Sequence, residues 1–202
     1  YELIRRDYDW FLPVYESYRT DRQRYEAMRY FLLHRFGGVY TDLDFECLRS
    51  IRPLLEGKEI VLAEEPEVHR HHPSVIHRGF PRIVGNAFLA SLPRHPFWEH
   101  VIHRLVGCCT FSPPHSTGAY MLTAAVESYA TSDRITLLPS SCLYPISMDV
   151  CWNRLPEEDR QTVRNQAYGV HHWRSRGCRE ETEAPAETLS ASLMLSHRVV
   201  NE

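Results

Sequence analysis

Several features that define other classes of protein are scarce in this sequence of 202 residues. Lysine is reduced to Lys58, so arginine carries nearly all of the positive charge, and the formal net charge is −3. The arginines are scattered, and no stripe of basic and aromatic residues occurs, which argues against nucleic acid as a partner. No apolar run approaches the length of about 20 residues that a membrane-spanning helix requires, and no signal peptide opens the chain.

The sequence also lacks the paired cysteine spacing of a structural zinc site. Its six cysteines include no C-x-x-C pair, so we predict no structural zinc. An even number of cysteines permits disulfides without requiring them, and it leaves the cellular compartment open. The chain opens at Tyr1 within a helical pattern. We therefore expect an excerpt of a longer protein, whose anchor or leader would lie outside this chain.

Length and patterning predict one globular domain with an α/β fold. A chain of this length forms about one domain with a substantial core. Strand patterns alternate with helix patterns, which is typical of a sheet with helices on both faces. We assign residues 1–176 to this domain. Residues 177–202 are predicted to form a flexible tail, because they include the run Glu180-Glu181-Thr182-Glu183.

Hydrophobic periodicity and turn residues predict the individual elements. The predicted strands cover residues 39–41, 45–48, 59–63, 86–92, 134–138 and 168–173. The predicted helices cover residues 1–18 with an interruption at Pro13, 22–36, 96–107 and 120–130, and a turn or short helix covers 51–55. The polar segment 64–80 is predicted to be a loop with solvated histidines, namely His69, His71, His72 and His77.

The helix over residues 22–36 shows apolar residues at helical spacing. They are expected to form one buried stripe. The stripe consists of Tyr25, Met28, Leu32 and Phe36. Gly37 and Gly38 are expected to end the helix, because glycine readily adopts the left-handed conformation of a C-terminal cap.

Asp42 and Asp44 lie one residue apart where a short strand meets a loop. Carboxylate oxygens are the ligands that Mg²⁺ and Mn²⁺ prefer, and substrate phosphates usually complete the coordination of such ions. The pair therefore indicates a divalent cation that carries a diphosphate. A solvated acidic turn is the alternative interpretation.

Two further pairs could complete such a site. Glu26 and Arg29 share a helix face, where they could bind sugar hydroxyls or form an ordinary intrahelical ion pair. His171 or His172 could supply a third metal ligand, because neutral imidazole binds Mn²⁺. A structural role for the two histidines is the alternative.

These motifs together resemble the DXD-containing glycosyltransferases of family 32, over Leu3 to Leu55. The family pattern has an acidic residue three positions before Arg-Tyr, then a helix, Gly-Gly-x-Tyr and Asp-x-Asp. It is matched here by Glu26, Arg29-Tyr30, Gly37-Gly38-Val39-Tyr40 and Asp42-Leu43-Asp44. Weaker matches continue through Asn86-Ala87-Phe88, His95-Pro96-Phe97-Trp98, Ser116-Thr117-Gly118, Leu137-Leu138-Pro139, Tyr144-Pro145 and His171-His172-Trp173.

The resemblance implies a GT-A fold, which is a Rossmann-like mixed sheet flanked by helices. It also implies retaining transfer of a hexose, dependent on Mn²⁺ or Mg²⁺, from GDP-mannose or a UDP-hexose. Asp42 and Asp44 would be catalytic. Asp44 would bind the metal directly, His171 would be the third ligand, and Asp42 would serve the metal shell or the nucleotide ribose. The donor contacts would be Glu26, Arg29, Gly38, Tyr40, Asp42, Asn86, Thr117 and Gly118.

The same resemblance implies partners and a compartment. The acceptor would be a glycan, a glycolipid or a protein-linked sugar. The compartment would be the Golgi lumen in a eukaryote and the cytoplasm in a bacterium or virus, with membrane association through a segment outside this chain.

The sequence departs from the family pattern at three places. Glu26 replaces the usual Asp, Ala119 stands where the family often has Pro, and the first strands of the family are not found before Leu3. The fold is therefore expected to be incomplete at its N-terminus. This departure keeps a catalytically silent sugar-nucleotide or glycan-binding domain as an alternative. A phosphatase with Asp42 as nucleophile is a further alternative, although Phe45-Glu46 fits it poorly.

Overall fold

A computed structural model describes residues 1–173 of the chain. It confirms the α/β class, with a mixed sheet flanked by helices. The predicted tail 177–202 and the predicted domain boundary at residue 176 lie outside the described residues. No helix within residues 1–173 is both long and apolar enough to span a bilayer.

Six strands form two sheets. They are β1 (Gly38–Thr41), β2 (Phe45–Cys47), β3 (Ile60–Ala63), β4 (Phe88–Ser91), β5 (Ile135–Leu138) and β6 (Gly169–His171). The larger sheet has the order β1-β4-β3-β5, in which only β3 and β5 are parallel neighbours. The smaller sheet pairs β2 with β6 in antiparallel register, so that Phe45 lies opposite His171. Each predicted strand is confirmed, with its ends shifted by at most two residues.

Nine α-helices accompany the strands in the described part of the chain. They are α1 (Glu2–Asp7), α2 (Leu12–Ser17), α3 (Asp21–Phe36), α4 (Arg52–Leu55), α5 (Pro96–Cys108), α6 (Pro113–Ser116), α7 (Ala119–Glu127), α8 (Ser140–Leu143) and α9 (Glu157–Gln166). The predictions did not include α6, α8 and α9. Helix α9 was missed because Val163 is its one buried residue, so its sequence shows almost no apolar periodicity.

The first predicted helix is interrupted at Tyr8 and not at Pro13. Tyr8 has φ −143° and ψ 43°, which are not helical angles. Pro13 instead lies in the first turn of α2. A proline is tolerated there because the first N–H groups of a helix have no intrahelical acceptor.

Both ends of α3 follow local rules. The Thr20 side chain accepts a hydrogen bond from the backbone N–H of Gln23, and the backbone N–H of Thr20 donates to Oε1 of Gln23, which forms a capping box. Gly37 ends the helix with φ 64°, and a Cβ atom there would lie 2.8 Å from the carbonyl oxygen of Ser91. The predicted glycine stop is confirmed, because only glycine fits both the angle and the contact.

The predicted buried stripe of α3 is wrong. Tyr25, Leu32 and Phe36 are exposed, and the helix buries a face that mixes apolar and polar residues. That face consists of Gln23, Glu26, Ala27, Arg29, Tyr30, Phe31, Leu33 and His34. Apolar residues occur on both sides of α3, so spacing alone selects the wrong face. The consequence is that two of the predicted donor-binding side chains point into the protein.

The larger sheet separates two hydrophobic cores. Ile60 and Leu62 of β3 face a core with α1, α2, α3, α5 and α7, whereas Val61 and Ala63 face a core formed with α8, α9 and β6. Every residue of β3 is buried, which explains its continuous apolar sequence. Helices therefore cover both faces, as predicted.

Segment 64–80 contains no α-helix or β-strand, but two short 3-10 helices, Glu67–His71 and Ile76–Arg78, interrupt the predicted loop, and one of its histidines is not solvated. His69 is 2% exposed. Its Nδ1 lies 2.8 Å from Oε2 of Glu65, and its Nε2 lies 3.1 Å from Oγ of Ser147 and accepts the backbone N–H of Met148 at 3.0 Å. The prediction fails at His69 because the partners that bury it are distant in sequence.

Candidate metal and sugar-nucleotide site

The two aspartates occupy the turn between β1 and β2. The backbone N–H of Asp42 donates to the carbonyl oxygen of Ala87 at 2.9 Å, which extends the pairing of β1 with β4 by one residue. Phe45 N–H then donates to the Asp42 carbonyl at 3.1 Å and closes the turn. Leu43, between the aspartates, is fully exposed. The turn therefore presents both carboxylates at the end of the larger sheet.

Pairing of β2 with β6 brings a histidine to this turn. Nε2 of His171 lies 3.1 Å from Oδ1 of Asp44, and one potential ligand atom from each of Asp42, Asp44 and His171 lies within 4.8 Å of the others. The backbone N–H of His172 donates to the Asp44 carbonyl at 2.9 Å and fixes the register. Two carboxylates and an imidazole form a donor set that suits Mn²⁺ or another divalent ion of similar size.

His171, and not His172, faces the aspartates. Nε2 of His172 lies instead 2.9 Å from the exposed carboxylate of Glu46. His171 is 7% exposed and its ring packs against Phe45 and Trp173. Burial lowers the pKa of His171, although the nearby Asp44 carboxylate opposes the shift. The neutral imidazole that results is the form that binds metals.

Asp42 is held by two donors from neighbouring elements. Nη1 of Arg29 lies 3.1 Å from Oδ1 of Asp42, and the Tyr40 hydroxyl donates to the same oxygen at 2.8 Å. Arg29 also donates to the backbone carbonyl of Asn86 and lies 4.6 Å above the centre of the Tyr40 ring. Burial raises the pKa of Tyr40 to about 12, so its hydroxyl stays protonated and remains a donor. Four of the predicted donor-binding residues thus form one contact network.

Arg29 retains hydrogen-bonding capacity. It is 5% exposed, and its Nε is buried without a hydrogen-bond partner among residues 1–173. A guanidinium has five donors in a planar fork that matches phosphate oxygens. Arg29 can therefore donate a hydrogen bond to an anionic ligand while it keeps its ion pair with Asp42.

Glu26 pairs with residues other than Arg29. The Thr117 hydroxyl donates to Oε2 of Glu26 at 2.7 Å, and Nε of Arg22 donates to Oε1 at 2.9 Å. Glu26 is 5% exposed, so these bonds compensate a buried carboxylate. The intrahelical partner of Glu26 is thus Arg22, and Arg29 turns toward Asp42.

Gly118 allows the α6–α7 segment to approach α3 closely. A Cβ atom on Gly118 would lie 2.9 Å from Cα of Pro114 and 3.2 Å from Oε2 of Glu26. The Tyr30 hydroxyl donates to the Thr117 carbonyl at 2.7 Å and ties the two elements together. Thr117 and Gly118 therefore belong to the Glu26 side of the site.

Gly38 is the exception among the predicted residues. It begins β1, opposite Ser91, whereas Asp42 follows the last residue of that strand. The two positions are four residues apart in the sequence, which corresponds to about 13 Å along a strand. A donor contact by Gly38 stays a prediction, but the structure does not place this residue beside the aspartates.

The sequence predictions missed a tyrosine that supports the site. The Tyr144 hydroxyl accepts the backbone N–H groups of Ala87 and Phe88 at 3.1 and 2.9 Å. Ala87 also pairs with Asp42, so Tyr144 holds the strand that positions the turn. Gly85 makes room for the ring, because a Cβ atom there would lie 2.5 Å from Cζ of Tyr144. The weak family match at Tyr144-Pro145 was the one indication in the sequence, and it did not suggest what Tyr144 contacts.

Comparisons with known proteins agree with this geometry. Residues 1–61 match the family described as glycosyltransferase sugar-binding region containing DXD motif. The chain is 38% identical over 105 residues to mannosyl phosphorylinositol ceramide synthase SUR1 of Saccharomyces cerevisiae, covering 52% of this chain and 24% of the relative. It is 36% identical over 103 residues to inositol phosphoceramide mannosyltransferase 1 of Schizosaccharomyces pombe, covering 51% and 28%.

A longer match reaches an animal protein. The chain is 26% identical over 181 residues to lactosylceramide 4-alpha-galactosyltransferase of Pongo pygmaeus, covering 83% of this chain and 74% of that protein. The matched part spans about a quarter of the length of the fungal relatives. Residues 1–61 of this chain are therefore similar to the DXD-containing sugar-binding region of glycosyltransferases, and the longer matches are to mannosyl- and galactosyltransferases.

Proposed function

We propose that the protein transfers a hexose from a nucleotide-diphosphate sugar to a hydroxyl of a glycan or glycolipid, with retention of configuration. The observation that carries this proposal is the convergence of Asp42, Asp44 and His171 within 4.8 Å beside the buried Arg29. The relatives act, by their names, on glycolipids, which supports a glycolipid acceptor. GDP-mannose and UDP-galactose are the donors that correspond to those names.

A divalent cation, Mn²⁺ or Mg²⁺, would be held by Asp44 and His171, with Asp42 as the remaining carboxylate. When bound, it would neutralise the diphosphate that leaves the sugar. Arg29 would donate from its buried guanidinium to a phosphate oxygen, where a desolvated cation acts strongly. Tyr40 would keep Asp42 oriented, because its protonated hydroxyl donates to the carboxylate that Arg29 also contacts.

Glu26 would bind sugar hydroxyls. Its carboxylate is fixed by Thr117 and Arg22, so it would present acceptor lone pairs without a loss of side-chain entropy at binding. In the reaction the bond from the anomeric carbon to the phosphate oxygen breaks, and a bond to the acceptor oxygen forms on the same face. The acceptor proton passes to the leaving phosphate oxygen. No protein nucleophile is needed for this route.

The test is calorimetry of the full chain with Mn²⁺ and a panel of GDP- and UDP-sugars, followed by a turnover assay with a glycolipid acceptor. We expect tight binding of one donor only when Mn²⁺ is present, and product formation from that donor. Asp44→Asn should remove both, whereas Glu46→Gln, a neighbouring exposed carboxylate, should change neither.

Two outcomes would reassign the protein. Donor binding without turnover for any acceptor would indicate a silent sugar-nucleotide-binding domain. Trapping of a phosphoenzyme on Asp42 would indicate the phosphatase. If the source is eukaryotic, we further propose that the protein acts in the Golgi lumen and associates with the membrane through a segment outside this chain.

A further inference from the structure

A cavity beside the α6–α7 segment is lined by residues other than those of the candidate metal site. It encloses about 170 Å³ between α5, α6, α7 and the loop that precedes β4. Arg78, Arg104 and His115 provide its polar lining, and Phe80, Phe111 and Tyr120 provide aromatic walls. Asp42, Asp44 and His171 are not among its lining residues.

The charge of this cavity is uncompensated. No carboxylate lines it. Among residues 1–173, neither Arg78 nor Arg104 forms an ion pair, whereas most other arginines of the same part do. The Nε of Arg104 is buried and has no hydrogen-bond acceptor within that part of the chain. A buried donor without an acceptor costs free energy, so the cavity favours a ligand that brings acceptor oxygens.

The two guanidinium groups act on the same small volume. Burial raises the pKa of the Cys108 thiol, and Arg104 and Arg78 both oppose that rise. Burial lowers the pKa of His115, and Arg78 lowers it further. A neutral imidazole at this point can donate a hydrogen bond without adding a third charge. The arrangement provides two cations and a neutral donor around one space.

We propose that this cavity binds a phosphate group carried by a small organic molecule or a lipid headgroup. Guanidinium forks match phosphate oxygens, and Arg78 and Arg104 would supply them. The aromatic walls would pack against the organic part of the ligand. The volume is below the range of roughly 300–1,000 Å³ typical of sites for drug-sized ligands, so a headgroup fits better than a whole nucleotide sugar. The proposal is independent of the proposed transferase activity.

Calorimetry with inorganic phosphate and with glycerol 3-phosphate tests the site. The full chain is treated with a chelator first, so that no metal at the aspartates can recruit phosphate. Arg104→Gln should weaken binding by about tenfold or more, because it removes a charge-assisted hydrogen bond. Arg154→Gln is the matched control, since Arg154 is exposed and does not line the cavity, and it should leave the affinity unchanged.

A second variant changes the volume instead of the charge. Ala124 lines the cavity from α7, so Ala124→Leu should fill part of the space and weaken phosphate binding in a protein whose circular dichroism is unchanged. Wild-type protein provides a readout that needs no variant. Glycerol 3-phosphate should slow alkylation of Cys108, which lines the cavity, but not of the exposed Cys47.

Two further arms identify the source of the phosphate. Co-sedimentation with phosphatidylcholine vesicles that contain phosphatidic acid, lost in Arg104→Gln, would identify a lipid headgroup. Binding of glycerol 3-phosphate without vesicle binding would identify a soluble phosphate ester. Equal phosphate affinity in Arg104→Gln and Arg154→Gln, or alkylation of Cys108 that phosphate does not slow, would overturn the proposal. Asp44→Asn should not alter binding, which separates this site from the donor site.

Discussion

Nε2 of His171 lies 3.1 Å from Oδ1 of Asp44, although 127 positions separate the two residues in the sequence. The antiparallel pairing of β2 with β6 creates this contact, and the aromatic rings of Phe45 and Trp173 hold the imidazole in place. A site with this geometry depends on both strands. Its individual contacts lead to the following predictions.

Metal affinity should depend on Asp44 and His171. Changes to residues that only contact the metal ligands typically lower metal affinity by roughly tenfold to hundredfold. We expect His171→Gln, which removes a proposed ligand, to lower Mn²⁺ affinity by at least as much. Asp44→Asn should lower it further, because a charged ligand is lost. Calorimetric titration with Mn²⁺ measures both effects. His172→Gln is the control, since its imidazole contacts Glu46, and an equal loss in this variant would refute the assignment of His171.

Arg29 and Arg52 allow a comparison of a buried ion pair, Arg29–Asp42, with an exposed one, Arg52–Glu56. Arg29→Met should lower the free energy of unfolding by about 1–3 kcal/mol, because the Asn86 carbonyl and Asp42 lose a buried donor. Arg52→Met should lower it by at most about 1 kcal/mol, because both side chains of the Arg52–Glu56 pair are exposed. Urea denaturation provides the comparison. Equal costs in the two variants would contradict the network around Asp42.

Two glycines should respond to alanine in opposite directions. Gly118→Ala should destabilise the protein by about 1–3 kcal/mol, because the added methyl group overpacks the contact with Pro114 and Glu26. Gly107→Ala, in α5, meets no atom within 4 Å and should stabilise the protein by up to about 1 kcal/mol through helix propensity. Thermal denaturation distinguishes the two signs. Stabilisation by both substitutions would show that Gly118 is not tightly packed.

The Tyr144 hydroxyl should matter more than that of an exposed tyrosine. Tyr144→Phe leaves the N–H groups of Ala87 and Phe88 without their acceptor, and it should cost about 1–3 kcal/mol for each buried group left unpaired. Tyr25→Phe, at a position that is 69% exposed, should be neutral within about 0.5 kcal/mol. Chemical denaturation gives the free energies. Hydrogen exchange provides a second measurement. The amide hydrogen of Ala87 should exchange faster in Tyr144→Phe than in Tyr25→Phe.

Local rules predicted elements well wherever the determining residues lie close together in sequence. The Gly37 stop, the strand before Asp42 and the buried strand β3 depend on backbone conformation and continuous burial, and both are visible in a short window. The buried face of α3 was not predictable in this way. Its polar residues are compensated by Thr117 and Asp42, which a helical wheel cannot represent.

The residues of the candidate site also differ in whether a local sequence pattern could identify them. Asp42 and Asp44 follow from the motif itself, whereas the choice of His171 over His172 came from a resemblance and not from spacing. The burial of His69 and the role of Tyr144 depend on contacts with segments more than 50 residues away, and no local pattern indicates them. Pairings of this kind can be predicted only together with the tertiary fold.

The pairing of β2 with β6 also has a consequence for biosynthesis. A ribosome that has completed Asp42 and Asp44 must still add the strand Gly169–His171 before His171 can contact Asp44. While residues 45–170 are being synthesised, the nascent chain carries the two aspartates without the imidazole that contacts Asp44. Contacts this distant form late and slow the folding of the parts that need them. The carboxylates of Asp42 and Asp44 can meet the imidazole of His171 only after all of the intervening residues have been synthesised.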